Sequence, residues 1–218
     1  MHIFERWAQA FKQIGDRLMR LLITSTLLTI CLTAIGQTYP VDTEIKYTDS
    51  TGNSVIIQNS RPRAGGDADE KCRYTDSTGK KYTYAIFWSR VINKTATPLE
   101  LTINFPAIIQ SPYSHIKLFL PADTMTIDKE SLYNYGITGL KSFLDTDFNK
   151  TMLKRTINPK EEYLFYIVKL SPLYHVGGVV RTGFTLKEQD LYYRISITPN
   201  FSPALIPCGQ IVFKKLKR

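Results

Sequence analysis

Histidine, cysteine and paired carboxylates carry much of protein chemistry near neutral pH, and this chain is thin in the first two. It has three His and three Cys in 218 residues. His2 stands at the extreme N-terminus, which leaves His115 and His175. Neither belongs to an H-E-x-x-H helix or any other metal-ligand spacing, so a zinc site would need partners distant in sequence. No G-x-S-x-G turn and no C-x-x-C pair is present. A Ser/His/Asp triad is assembled in space, so His115 or His175 stays open as its base, with nothing to nominate the other two members. Asp67-Ala68-Asp69-Glu70 and Asp145-Thr146-Asp147 alternate like calcium ligands but lack the continuation of a binding loop, and read as solvated acidic turns. No residue is thus nominated as catalytic, cofactor-binding or metal-binding, and no cofactor is implied.

The cysteines bear on location instead. Cys31 lies inside the uncharged run Leu21–Ile35, behind Ile30, where a lipid-attachment site would need a small residue. Arg17 and Arg20 precede that run, and Ala34 and Gly36 follow the small-x-small pattern of a signal-peptidase site. Basic flank, apolar run and small residues at the cut describe a secretory signal peptide over residues 1–36. The run is shorter than the ~20 apolar residues needed to span a bilayer core, so membrane attachment is expected only if this segment is not cleaved. The stretch before it is long for such a leader. Either Met19 is the true start, the reading favoured here, or Ile3, Trp7, Phe11, Ile14 and Leu18 share one face of a helix on the membrane surface. Past residue 36, Cys72 and Cys208 remain. In an oxidising compartment they are a candidate disulfide, with two separate buried thiols as the alternative.

The composition is that of a folded domain: 43% hydrophobic, 22% charged, 12% aromatic with 13 Tyr. A net charge of +9 is spread along the chain, with one dense run at Lys214, Lys215, Lys217 and Arg218. That pattern suits a basic soluble surface and does not point to nucleic acid.

Residues 37–218 read as one β-domain. Tyr47-Thr48-Asp49-Ser50-Thr51-Gly52 recurs as Tyr74-Thr75-Asp76-Ser77-Thr78-Gly79. Asp, Ser and Gly in a row supply side-chain turn bonds and a positive-φ position, so the repeat predicts two hairpins with one turn chemistry. Leu99, Leu101, Ile103 and Phe105 alternate with polar residues, the period of a half-buried strand. Before them Tyr82–Asn93 predicts a long strand with Ile86, Trp88 and Ile92 on one face and a bulge or a strand end near Arg90. The pair joined by Asn93–Pro98 looks like an early hairpin of immunoglobulin-like sandwiches. Further alternation follows at Ile116–Leu120, Leu164–Leu170, Phe184–Leu186 and Leu191–Ile197, with Ile211–Phe213 closing the chain. Short strands between Pro and Gly turns predict an all-β fold, an immunoglobulin-like antiparallel β-sandwich. Residues 123–156 break the pattern as a partly helical insertion across one end, with Asp128 and Thr138 as helix starts and Gly136 as a stop.

The segments FWSRVINKTATPLELTINFPA, KLFLPADTMTIDKESLYNYG, LKSFLDT, RTINPKEEYLFYIV and ALIPCGQIVFKK carry a resemblance. From about Tyr82 to Lys215 the chain resembles an uncharacterised family of exported proteins from Gram-negative bacteria. That resemblance implies export and brings no activity, ligand or catalytic residue with it. Asp49-Ser50-Thr51, Asp76-Ser77-Thr78 and Asp123-Thr124-Met125 look like acceptors of a bacterial O-glycosylation system, which would place glycans on Ser50, Ser77 and Thr124. Tyr133, Tyr135 and Tyr192 are candidate contact aromatics. The expectation is a non-catalytic module, periplasmic, at the cell surface or extracellular, that contacts an envelope protein or a glycan. Two alternatives stand beside it. One is an envelope hydrolase with a site near the 123–156 insertion and His115. The other is an inhibitor or chaperone-like sandwich that offers an edge strand.

Overall fold

Alternating apolar rows must find a shared interior, and in the computed structural model they do so between two antiparallel sheets. The structure describes residues 41–48, 52, 54–63, 70–109, 113, 115–146, 150–173, 179–198 and 202–214, all within the compact unit Pro40–Arg218. The leader over 1–36, the start at Met19, Ser50 and His175 lie outside the described residues.

The strands are β1 (Val41–Thr48), β2 (Ser54–Ser60), β3 (Arg73–Thr75), β4 (Lys81–Asn93), β5 (Leu99–Asn104), β6 (Lys117–Phe119), β7 (Met152–Ile157), β8 (Glu162–Pro172), β9 (Val179–Lys187), β10 (Asp190–Thr198) and β11 (Ala204–Phe213). The first sheet runs β1-β2-β4-β8-β6, with β3 also on β4; the second runs β7-β5-β11-β10-β9. Leu99, Leu101, Ile103 and Phe105 bury between the sheets against Val55, Ile57, Phe87, Ile167, Phe184, Tyr193 and Ile195. Ile116, Leu118 and Leu120 join the same interior.

The expected all-β sandwich is present, but its strand order differs from the immunoglobulin one. There the final strand lies at a sheet edge. Here β11 lies between β5 and β10. The Asn93–Pro98 unit is likewise not a hairpin. Both edges of β4 are taken, by β2 and β8, so β5 crosses to the other sheet. Asn93, fully buried, holds this arch. Its amide Nδ2 donates to Thr97 O at 2.9 Å and Ile157 O at 3.0 Å, and its Oδ1 accepts from Thr95 N.

Both repeat hexapeptides make the expected hairpins, β1–β2 and β3–β4. Gly52 and Gly79 take φ of 84° and 82°, the left-handed conformation that favours glycine. In the second turn Asp76 Oδ1 accepts from Thr78 N, Thr78 Oγ1 and Lys80 N. Near Arg90 the structure has the strand end, at Asn93, and no bulge. β4 keeps unbroken register with both neighbours, because the guanidinium bonds to Gln58 and Glu162 on the flanking strands.

β4 and β8 are apolar on both faces, which makes a second core necessary. Tyr82, Ile86, Trp88, Tyr166, Val168 and Leu170 point away from the sandwich interior. Met125, Tyr135, Leu140 and Leu144 cover them. The helical segment therefore lies over the outer face of the first sheet, not across a sandwich end. It comprises 3-10 turns Ile127–Ser131 and Tyr133–Gly136 and helix α1 (Leu140–Thr146). Its helix starts also differ from expectation: Thr126 occupies the first cap position, and α1 begins behind Gly139. The insertion is shorter than 123–156, because Met152–Ile157 is strand β7 paired to β5.

Side chains close one seam between the sheets. Gln58 and Ser60 aside, β2 turns Asn59 inward, where its Oδ1 accepts from Phe184 N at 2.9 Å and its Nδ2 donates to Phe184 O at 3.2 Å. One amide thus pairs with both backbone groups of a β9 residue, as a neighbouring strand would. Gly183 permits the approach, since a Cβ there would stand 2.7 Å from Asn59 Cγ. Tyr47 Oη, from β1, accepts from Leu186 N two residues further along.

Candidate functional site

An exposed apolar groove lies where β5 runs out beside the start of β11. Pro106, Ile108, Ile109, Ala204, Leu205, Ile206 and Pro207 line a concavity of roughly 510 Å³, without a charged group among them. Its origin is local. In an extended doublet two adjacent side chains point opposite ways. Ile109 and Ile206 therefore bury into the sandwich, while Ile108 and Leu205 stay 78% and 57% exposed. Ala204–Pro207 pair with β10, but β11 meets β5 only from Gly209 onward, and Pro207 has no N–H to offer on that side. Tyr113 Oη donates to Ser202 O at 2.9 Å and ties the floor together.

The groove continues onto the outer face of the second sheet. Tyr192 stands directly across from Pro207, and Arg194 across from Leu205. Met152, 69% exposed, faces Asn104 on the neighbouring strand. Arg194, across from Leu205, and Lys154, across from Thr102, are exposed on the same sheet. Isolated exposed apolar residues are ordinary, whereas a contiguous set around a concavity marks a contact surface.

The predicted site residues fare differently. Tyr192 is half-buried beside the groove. Tyr133 is 58% exposed on the helical cap. Tyr135 is a correction: it is 1% exposed, and its hydroxyl donates to Arg61 O, so it holds the cap onto the sheet. A contact role would need its ring at the surface, and the apolar outer face of β4 takes it instead. Ser77 and Thr124 are exposed. Cys72 and Cys208 are two separate buried thiols, the alternative set beside the candidate disulfide. Cys208 is inside the sandwich, its thiol donating to Leu191 O at 3.3 Å, and burial pushes it up to about 12. Cys72 packs below the cap with its Sγ 3.8 Å from Tyr133 Oη.

His115 is half-buried, and burial, then Lys169, lowers its proton affinity. Among the described residues no group of three or more His, Cys, Asp or Glu could hold a metal ion.

Two features of the cap escaped sequence reasoning. Asn134 and Tyr135 both take left-handed backbone, φ 51° and 54°, followed by Gly136 at 64°. For non-glycine residues this costs about 1–3 kcal/mol each and persists only where packing imposes it. Beneath that turn Glu130 is 4% exposed with its Oε1 unpartnered, and Asn134 Oδ1 and Trp88 Nε1 are unpartnered too. Burial raises the Glu130 pKa, against the opposing pull of Arg63 and Arg90. No periodic signal marks such a residue. The Ile108-Ile109 doublet between prolines did carry a readable one, since both cannot bury.

Compared with protein families, with curated proteins and with solved structures, the chain matches none.

Proposed function

We propose that this protein is an exported, non-catalytic binding module that docks a protein of the cell envelope on the outer-face groove of its second sheet. The observation that carries the reading is the contiguous exposed apolar set Pro106, Ile108, Leu205 and Pro207, with Tyr192 beside it. Interface centres are apolar and aromatic with a polar rim. The exposed cations Arg194 and Lys154 of the same sheet suit a partner that brings an apolar anchor with carboxylates beside it. Export rests on the uncharged run Leu21–Ile35 behind Arg17 and Arg20. Among the described residues no helix is long and apolar enough to cross a membrane.

The strand-donor reading is the weaker one. Each outer strand carries a basic residue: Lys46 on β1, Lys117 on β6, Lys154 on β7 and Arg181 on β9. Edge lysines oppose pairing with another chain, and β9 is already met by Asn59 and Tyr47.

A photo-crosslinking residue placed at Ile108 in the native envelope tests the proposal. The expected result is one acidic envelope protein as the adduct, with binding weakened about hundredfold by Leu205→Asp, which forces a charge into the apolar contact. No adduct, an adduct indifferent to Leu205→Asp, or an adduct only with a second copy of this chain overturns it.

A further inference from the structure

The helical cap lies over the first sheet with its two ends tied together at the base. Leu120 N, on one side of it, donates to Lys150 O, on the other, at 2.8 Å. Lifting the segment between them leaves the strands on either side where they are.

An apolar contact and tyrosine hydroxyls hold the cap down. Met125, Tyr135, Leu140 and Leu144 sit on Ile86, Trp88, Tyr166, Val168 and Leu170. Tyr166 Oη donates to Tyr135 O at 2.7 Å, Tyr74 Oη to Leu144 O at 3.1 Å, and Tyr135 Oη to Arg61 O.

The same contact carries costs that opening relieves. Trp88 Nε1 and Arg90 Nε, on β4, are buried without an acceptor. Glu130 Oε1 and Asn134 Oδ1, on the cap, are buried without a donor. Buried polar groups are nearly always paired, so four orphans at one contact are a concentrated cost. Asn134 and Tyr135 add left-handed backbone that only the surrounding packing maintains.

Of the four orphans, only Glu130 changes charge in the neutral range. The charges that reach it are Arg63, from the chain after β2, and Arg90, from β4; Tyr135 is its titratable neighbour on the cap. Arg90 is already bonded to Gln58 and to Glu162 of β8. Lys129, next in the chain, bonds instead to Thr124 O and pairs with Asp123. Burial outweighs the two arginines, so the ionised carboxylate is better placed in water than beneath the cap.

We propose that the cap, residues 125–146, is a lid that lifts as a unit from a sandwich that stays folded, and that ionisation of Glu130 sets how often it lifts. Apolar burial and the hydroxyl bonds favour the closed state; strain and the unmet polar groups favour the open one. Raising the pH puts charge on Glu130 and tilts the balance toward opening. Opening bares Ile86, Trp88, Tyr166, Val168 and Leu170. That strip belongs to the first sheet and the docking groove to the second, so the two proposals fail separately.

Hydrogen exchange followed by NMR on the purified protein tests the lid. Protection is read against unstructured reference rates, which removes the intrinsic effect of pH. The probes are the Trp88 indole N–H, the Tyr135 and Phe143 amides of the cap, and the Leu101 and Ile103 amides of β5. Trp88, Tyr135 and Phe143 should share one protection factor, at least about tenfold below that of β5. From pH 5 to 8 the cap factor should fall about tenfold, and Glu130→Gln should remove that fall. Ile103→Val, inside the sandwich, should lower β5 protection about fivefold and leave the cap factor unchanged, because the open state keeps the sandwich intact. Should Glu130→Gln fail to fold, Tyr166→Phe removes the bond to Tyr135 O and should lower the cap factor about fivefold. Equal protection of cap and β5, or a cap factor that follows β5 in Ile103→Val, would overturn the lid. A cap factor indifferent to pH, or one whose fall persists in Glu130→Gln, would overturn the role of Glu130.

Discussion

Glu130→Gln isolates the one buried carboxyl of the cap. Glu130 is 4% exposed, its Oε1 has no partner, and Arg63 and Arg90 are the cations whose fields reach it. Burial dominates and raises its pKa above the ordinary 4.5. Folding therefore takes up a proton wherever pH lies between the unfolded and folded values. The stability tied to that proton is complete below about 4.5 and is lost as pH climbs through the folded value. An unsatisfied buried polar group costs about 1–3 kcal/mol, and the two arginines offset part of it. Glutamine keeps the shape and cannot ionise. Urea denaturation at intervals from pH 4 to 8 should show parent and variant converging at the acid end. The variant should gain on the parent by about 1–2 kcal/mol toward neutral pH, a difference of about 2–8 °C in melting temperature for a domain of this size. A stability difference that stays constant across the range, or shrinks as pH rises, refutes the argument that burial governs Glu130.

Asn59→Ala leaves Phe184 N–H and C=O without their seam partner and should cost about 2–4 kcal/mol. Hydrogen exchange at Phe184 should accelerate while Phe87 amides stay protected; unchanged exchange would contradict the seam. Gly209 has φ 153°, and a Cβ there would stand 1.9 Å from Thr102 O, so Gly209→Ala should break the β5–β11 ladder. A soluble Gly209→Ala protein with parental urea midpoint would contradict that. Cys72 and Cys208 should alkylate without reductant, but only after denaturation. Mass spectrometry that recovers their peptides joined would contradict the separate thiols.

Strands were legible where burial is one-sided. Leu191, Tyr193, Ile195 and Ile197 alternate because their strand has a wet face, and all four do bury. β7 was missed because Met152 and Lys154 face outward and only Leu153 and Ile157 turn in, too weak a pattern to read. The first half of β11 is hidden by Pro203 and Pro207, which look like turn punctuation, although Pro207 sits within the strand at the groove. The cap was legible as helical, but its place was not. That depended on reading both faces of β4 and β8 as apolar, when one alternating row had already explained them as ordinary strands. Of the contact aromatics, Tyr133 and Tyr135 look alike in sequence. Only the left-handed turn between them separates one that faces water from one that does not.

The central seat of β11 governs when this molecule can come into being. Leu101 must wait for Ile211, and β10 for a neighbour made after it. Until that late segment emerges, β5 and β10 have no partner to join them, and half of the sandwich stays open. A chain built this way can complete its first sheet by Pro172, but its second sheet closes only when β11 is added.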